Sequence, residues 1–391
     1  MSTIMGISKR YLALGEARAG ALRLEADGTG ILLRMAKKLK IAVIGNGMIA
    51  HGAHLKGYAS IPDLCEMMIA CDIIEERAKK TAAEFGIPRW TTDYKEVLAD
   101  KEIDAVSVAV PNVSHHQITI DCLKAGKNVL CEKPLAMNGK QAREMCKVAR
   151  ESKKMLMVGL QTRFGGPASF VKDFIDNGGM GDIYYARAQA LRRRGVPTWG
   201  VFTDKEKQGG GPLIDIGVHV LDLTLHLMGY PKPVSAFGKT WDTLGKTPGL
   251  YNDWGDYDRS TYTVEDFAVG LIKFENGAAV TLESSFMANM EGDPFQTQLF
   301  GTKAGAIVKA WGDKPVEIFT EQNKQMFTMV PSNVPDIESS HVKEVQEFVK
   351  AIQAGKPSPV PGENGMTLNA IFDALYKSSE TGKEIKVDTT F

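Results

Sequence analysis

The chain offers little to a disulfide framework, a metal cluster or a membrane. Its five cysteines (Cys65, Cys71, Cys122, Cys131 and Cys146) are odd in number, scattered through apolar runs, and form no CxxC pair. That pattern argues against a disulfide scaffold and predicts buried free thiols in a reducing, cytoplasmic compartment. No excess of charge exists either, because 47 basic residues face 47 acidic ones. A neutral chain has no bulk attraction for nucleic acid or an anionic membrane, and neither partner is expected. No apolar run approaches the roughly 18 to 20 residues that cross a bilayer, so the chain reads as soluble. Histidine is sparse. Neither His51 with His54 nor His115 with His116 has a third ligand at a plausible spacing, so a polar loop accounts for them and no metal is expected.

What remains is a chain of 391 residues, 43% hydrophobic, long enough for two globular domains. Residues 1–36 read as a poorly ordered extension, or as upstream sequence with the natural start at Met35. Arg and Lys are interspersed there with Gly and Ala, and Ile31–Leu33 is too short for a signal-peptide core. From Lys37 to Val158, apolar runs (Ile41–Ile44, Met67–Cys71, Ala105–Val110, Val129–Cys131, Met155–Val158) alternate with helical patterns at Glu75–Phe85, Ser114–Ala125 and Gly139–Ser152. The runs are continuous rather than alternating, as in strands covered on both faces, so residues 37–158 are expected to form a doubly wound parallel sheet. After Gly159 the texture changes to β-branched and aromatic stretches at Ile183–Leu191, Phe267–Phe274, Ala278–Phe286 and Gln298–Phe300. Glu275-Asn-Gly277 is a hairpin signal between two of them. Residues 159–391 are therefore expected to be an α+β domain with an open, mostly antiparallel sheet. One helix should lie near Leu213–Met228, and two C-terminal helices, one carrying the stripe Val342, Val345, Phe348, Val349 and Ile352, can pack back on the first domain.

Ile41–Ala50 is a strand running into Gly45-Asn46-Gly47-Met48-Ile49-Ala50 and then a helix. The first glycine permits a tight turn, the second lets backbone approach a pyrophosphate, and a small third residue lets helix and strand pack closely. Asp72 ends the next strand, 22 residues beyond Ala50, where a carboxylate accepts from ribose hydroxyls and repels a 2′-phosphate. It can also serve as the N-cap of Glu75–Phe85. NAD is expected ahead of NADP, with Arg77 nearby as the reason not to exclude the latter. The turn Pro111-Asn112-Val-Ser-His115 should flank the nicotinamide half.

Two further stretches carry chemistry. Cys131-Glu132-Lys133-Pro134 closes a strand and aims Lys133 at the same crevice, with Pro134 fixing the backbone, if need be through a cis bond. Gln208-Gly-Gly-Gly-Pro-Leu-Ile-Asp215-Ile-Gly-Val-His219 is a glycine loop opening a helix. Asp215 and His219 stand four apart, hence on one helical face, where a carboxylate can orient an imidazole base.

These motifs, together with Arg163, resemble the glucose–fructose oxidoreductase, inositol dehydrogenase and MocA (Gfo/Idh/MocA) family from about Lys37 to the C-terminus. The resemblance implies a catalytic set of Lys133, Asp215 and His219, with His219 as general acid/base. It implies cofactor contacts from the glycine turn (Gly45, Asn46, Gly47, Met48, Ile49), Asp72, Pro111, Asn112, His115, Glu132, Lys133 and Arg163. It also implies a homodimer or homotetramer built on the second domain's sheet. Leu191-Arg-Arg-Arg194-Gly-Val-Pro-Thr-Trp199 departs from the family's usual text; Trp199 and one of Arg192, Arg193 or Arg194, with Arg194 foremost, are expected to form a wall for a sugar ring. The expected activity is NAD-dependent oxidation of a secondary hydroxyl on a sugar, glycoside or polyol, or the reverse reduction. The alternatives are a glycosidase that recycles tightly held NAD, and a non-catalytic nucleotide-binding regulator.

Overall fold

The computed structural model describes residues 22–26, 31–35, 37–310, 312–335, 337 and 339–390. Most of the extension expected over residues 1–36 lies outside that set; its described segments, Leu22–Ala26 and Ile31–Met35, pair as antiparallel strands. No helix among the described residues is long and apolar enough to cross a membrane.

Six strands build the first sheet: β1 (Leu39–Ile44), β2 (Cys65–Cys71), β3 (Arg89–Thr91), β4 (Ala105–Val108), β5 (Asn128–Glu132) and β6 (Leu156–Gly159). They run parallel in the order β3-β2-β1-β4-β5-β6. Continuous apolar runs make this possible, because Ile41, Ala42, Val43, Val106, Val129 and Leu130 are enclosed from both faces. The short edge strand β3 and the helix after it had no such signal, since Arg89 and Trp90 face solvent. The helix following β1 spans 48–59 and is wound as a π-turn over Ala50–His54 before α1 (Leu55–Ala59). Then come α2 (Glu75–Phe85), α3 (Tyr94–Ala99), α4 (Asn112–Lys124) and α5 (Gly139–Ser152). His51 and His54 thus lie on the π-turn, and His115 and His116 on α4, not in a polar loop.

Among the described residues the second sheet has nine strands. Its members are β7 (Ile183–Leu191), β8 (Pro233–Trp241), β9 (Phe267–Phe274), β10 (Ala279–Ser285), β11 (Phe295–Gly301), β12 (Ala304–Lys309), β13 (Val316–Gln322), β14 (Gln325–Met329) and β15 (Ile385–Lys386), in the order β14-β13-β12-β11-β7-β10-β9-β8-β15. Only β7 with β10 is parallel; every other pairing is antiparallel. Gly277 turns the β9–β10 hairpin at φ +84°, the left-handed region that glycine enters without penalty.

The helix expected over Leu213–Met228 is two helices, α6 (Pro212–Asp215) and α7 (Gly217–Leu227), parted at Ile216. The hydrophobic pattern runs through both, so periodicity could not show the break. Two long helices close the chain, α8 (Ser340–Ala354) and α9 (Gly362–Thr381). Although they follow the second sheet in sequence, α8 packs on α1 and α9 packs on both α5 and β8. Gly57 lets α1 and α8 approach: a Cβ there would stand 2.6 Å from the Cβ of Val345. This packing carries the first turn of α8 to the carboxyl ends of the parallel strands.

Candidate active site

The glycine turn lies where β1 and β4 part, the crevice that doubly wound sheets use for ligands. Gly45 has φ +88°, and a Cβ on it would meet the Ala109 carbonyl oxygen at 2.3 Å. Gly47 has nothing within 4 Å of its missing Cβ, so the space above its backbone is open to a phosphate. Asn46 is buried; its backbone N–H donates to Asp72 Oδ2 at 2.8 Å, and its side chain donates to the Val43 carbonyl. Asp72 also accepts from the Ile74 N–H at 2.9 Å. It does not cap α2, whose N-cap position is Ile74. Its carboxylate joins the glycine turn to the start of that helix while facing a cavity of about 340 Å³. Gly45, Gly47, Ile73, Ile74, Val110 and Pro111 are among that cavity's walls. Ile73 is 89% exposed and Met48 67%, apolar surface suited to a planar base and its ribose. These features fit a dinucleotide: an open glycine for the pyrophosphate, a carboxylate for the ribose, and an apolar slot. Arg77 reaches Asp72 at 3.4 Å from the rim. Asp72→Ser is expected to weaken NADH about 10- to 100-fold and to shift the NADH-to-NADPH affinity ratio toward NADPH. Fluorescence titration of both nucleotides checks this, and an unchanged ratio removes the reason for preferring NAD.

The chemical end forms around β5. The Lys133–Pro134 peptide bond is cis, and Lys133 Nζ donates to Asp215 Oδ1 at 2.9 Å and to the Asp215 carbonyl at 3.2 Å. Asp215 is buried, so its pairing with Lys133 satisfies a carboxylate that would otherwise be costly there. This differs from the spacing argument, which paired Asp215 with His219. The break at Ile216 turns α6 away from α7, and His219 Nδ1 is buried without a hydrogen-bond partner among the described residues. Burial pushes the His219 imidazole well below its ordinary pKa, and Lys133, His341 and Arg192 add to the effect. His219 is consequently neutral near pH 7, the form a proton acceptor requires. It lines a cavity of about 350 Å³ together with Gln161, Arg192, Phe295, Gln296 and Ser340. A larger groove, about 640 Å³, runs between α5 and the loop before α9. Its walls include Asn128 at the opposite end of β5, away from this chemistry.

The remaining expected residues divide between the crevice and the interior. Asn112 is buried and donates to the Gln208 carbonyl, joining the turn after β4 to the glycine loop before α6. His115 is enclosed, its ring nitrogens 2.8 Å from the Pro134 carbonyl and 2.9 Å from that of Val110; it ties the two turns that flank the crevice. Glu132 is buried beneath Lys133 and accepts from His54 Nε2 at 2.9 Å. Burial pushes the Glu132 carboxyl up, but His54, Lys133 and His341 together bring it below its ordinary value. Arg163 points into the interior, where it pairs with Asp222 and touches Tyr230 and Asn364. Arg194 is spent on the Ala288 carbonyl and Asn289 Oδ1. The arginine that shares the His219 cavity is Arg192, which stacks 4.8 Å over Trp254 and feels the charge of Asp215. Trp199 rests against Trp254 and Phe202. His341 and Trp254 gave no sequence signal, because their neighbours in the site are remote in the chain.

Residues 39–160 match the Gfo/Idh/MocA model described as an oxidoreductase family's NAD-binding Rossmann fold, and residues 172–387 match that family's C-terminal alpha/beta domain. The chain is 37% identical over 351 residues to D-glucoside 3-dehydrogenase of Escherichia coli (strain K12), spanning 89% of this chain and 97% of that protein. It is 26% identical over 353 residues to myo-inositol 2-dehydrogenase of Thermotoga maritima, spanning 90% and 99%. In fold it is similar to levoglucosan dehydrogenase solved with NADH and levoglucosan, at TM-score 0.78 and 23% identity over 90% of this chain and 100% of that one.

Proposed function

This chain belongs to the Gfo/Idh/MocA family of NAD-binding oxidoreductases, and on that premise we propose that it oxidises a secondary hydroxyl of a sugar or glycoside, the 3-hydroxyl of a D-glucoside first among those to test. The observation that carries this reading is the Lys133–Asp215 pair set beside His219, whose Nδ1 has no hydrogen-bond partner among the described residues, at the carboxyl ends of a dinucleotide-type sheet. The regiochemical suggestion comes from the 37% identity to a D-glucoside 3-dehydrogenase.

A bound nicotinamide would supply the acceptor for the hydride and its bonding pair. On the protein's side, Lys133 donates to the reacting oxygen and favours the charge that develops on it, while Asp215 fixes the direction of that ammonium. His219 accepts the hydroxyl proton, and the O–H pair becomes the second bond of the carbonyl. Arg192 offers fork donors to neighbouring hydroxyls, and Trp199 with Trp254 supplies flat apolar walls. Arg194 serves this wall indirectly, by holding its loop. The five cysteines are all buried free thiols, which accords with a cytoplasmic setting. Phe237 and Leu271, exposed cross-strand neighbours on β8 and β9, offer a face on which copies of the chain assemble as a dimer or tetramer.

The test is NADH formation from a panel of methyl and aryl D-glucosides, free hexoses and inositols, with the keto product located by mass spectrometry and NMR. Phenol released from aryl glucosides with no NADH accumulating would favour the glycosidase instead. Because the unprotonated imidazole is the active base, oxidation falls as pH drops through the pKa of His219. That group is held below 6.5, so the acid limb of kcat/KM is expected below pH 6.5 and the rate should be level near pH 7. A limb centred above pH 7 would assign the base elsewhere.

A further inference from the structure

We infer that Glu265 is a positioning residue for the reaction: with Tyr376 it holds the glycine loop and α6 so that Asp215 meets Lys133. The inference rests on the dehydrogenase reading above, because Lys133 and Asp215 belong to that site.

Lys133 can act on a reacting oxygen only if its long, flexible stem is steered. The hydrogen bonds that steer it both end on Asp215, one on the side chain and one on the backbone carbonyl. Asp215 closes α6, which has four residues and is parted from α7 at Ile216. A single helical turn is not stable on its own. Its geometry must be imposed from outside.

The Glu265 side chain, buried just before β9, does this. Its Oε2 accepts from the Gly211 N–H at 2.9 Å and its Oε1 from the Leu213 N–H at 3.1 Å. Pro212, between them, has no N–H to offer. The Gly211 carbonyl in turn accepts from the Asp215 N–H at 3.0 Å. One residue, Gly211, therefore links the Glu265 carboxylate to the residue that aims Lys133. Tyr376, on α9, holds the carboxylate itself, its hydroxyl donating to Oε1 at 2.9 Å. Burial raises the proton affinity of the Glu265 carboxyl, and these three donors counter it. The Ser284 hydroxyl adds a further hold, donating to the Pro212 carbonyl at 2.6 Å.

The same contacts explain two of the three consecutive glycines before Pro212. A Cβ on Gly210 would collide with the Tyr376 hydroxyl, and one on Gly211 with the Glu265 carbonyl. Those close approaches bring Glu265 and Tyr376 within bonding reach of each other and of the loop.

A double-mutant cycle tests the role, reading kcat for NADH formation from NAD and a methyl D-glucoside well below each variant's melting temperature. Glu265→Gln keeps the shape but turns an NH₂ group toward one of the two backbone donors. It is expected to lower kcat about 10- to 100-fold, with KM and NADH affinity within about twofold of the wild type. Tyr376→Phe leaves both backbone bonds in place and is expected to cost about two- to fivefold. In an Asp215→Asn background each substitution is expected to change kcat by less than about twofold, because the group it positions is already lost. NADH binding by fluorescence verifies the fold of each variant, and Tyr376→Phe carries the cycle alone should Glu265→Gln not fold. A merely structural role would lower the melting temperature and leave kcat alone, or lower kcat equally in both backgrounds. Either result overturns the positioning role while the dehydrogenase reading stands. No NADH from the wild type on any glycoside overturns that reading, and the role with it.

Discussion

His219→Ala is expected to lower turnover of a glucoside by about 10²- to 10⁴-fold at pH 7, while NADH affinity stays near that of the wild type. The asymmetry follows from place: His219 lines the cavity beyond the crevice, whereas the glycine turn and Asp72 lie at the other end of it. The loss should also erase the acid limb of the pH profile, because no other imidazole among the described residues lines that cavity. Single-turnover hydride transfer that survives the substitution nearly intact would refute the assignment. Stability supplies a separate check. The folded pKa of His219 lies below its unfolded value, so its contribution is full above about pH 6.5 and is lost as pH falls toward the folded pKa. The alanine variant, having no such group, should lose less of its melting temperature between pH 7 and pH 5 than the wild type does.

Lys133→Met is expected to cost about 10²- to 10³-fold in kcat, the scale for removing one aligned donor from a developing oxyanion. Two secondary effects separate it from His219→Ala. First, Lys133 is the leading charge that depresses His219, so its removal should move the acid limb of kcat/KM upward in pH. Second, the buried Asp215 carboxylate loses its ammonium partner and should cost about 1–3 kcal/mol of stability. Adding Asp215→Asn should recover part of that stability without recovering turnover, because the neutral amide needs no countercharge. A limb that stays in place in Lys133→Met would mean that the ammonium and the imidazole do not share a site.

These two predictions depend on contacts that were legible to very different degrees. The parallel sheet, the glycine turn and Asp72 could be read directly, since each is specified within a few consecutive residues: apolar runs for covered strands, Gly45 for a positive φ, an acid at a strand end. Lys133, Asp215 and His219 were singled out as a set through family resemblance. Their pairing was not. Spacing joined Asp215 to His219, whereas the break at Ile216 gives Asp215 to Lys133 and leaves the imidazole Nδ1 alone. Among three adjacent arginines, sequence had no means of choosing, because the choice depends on which side chain lies over Trp254 and which bonds the Ala288 carbonyl.

By itself, then, the sequence determined the fold class of each half and the kind of cofactor, because local patterns of burial, turn geometry and strand-end chemistry are written in neighbouring positions. The tertiary structure alone decided who faces whom. It broke the helix before His219, sent Arg163 into the interior with Asp222, and folded α8 back across the parallel sheet so that His341 stands within electrostatic reach of Glu132 and His219. The physical reason is that electrostatics and hydrogen bonding act over a few ångströms of space, and only packing turns separations of a hundred residues into such distances.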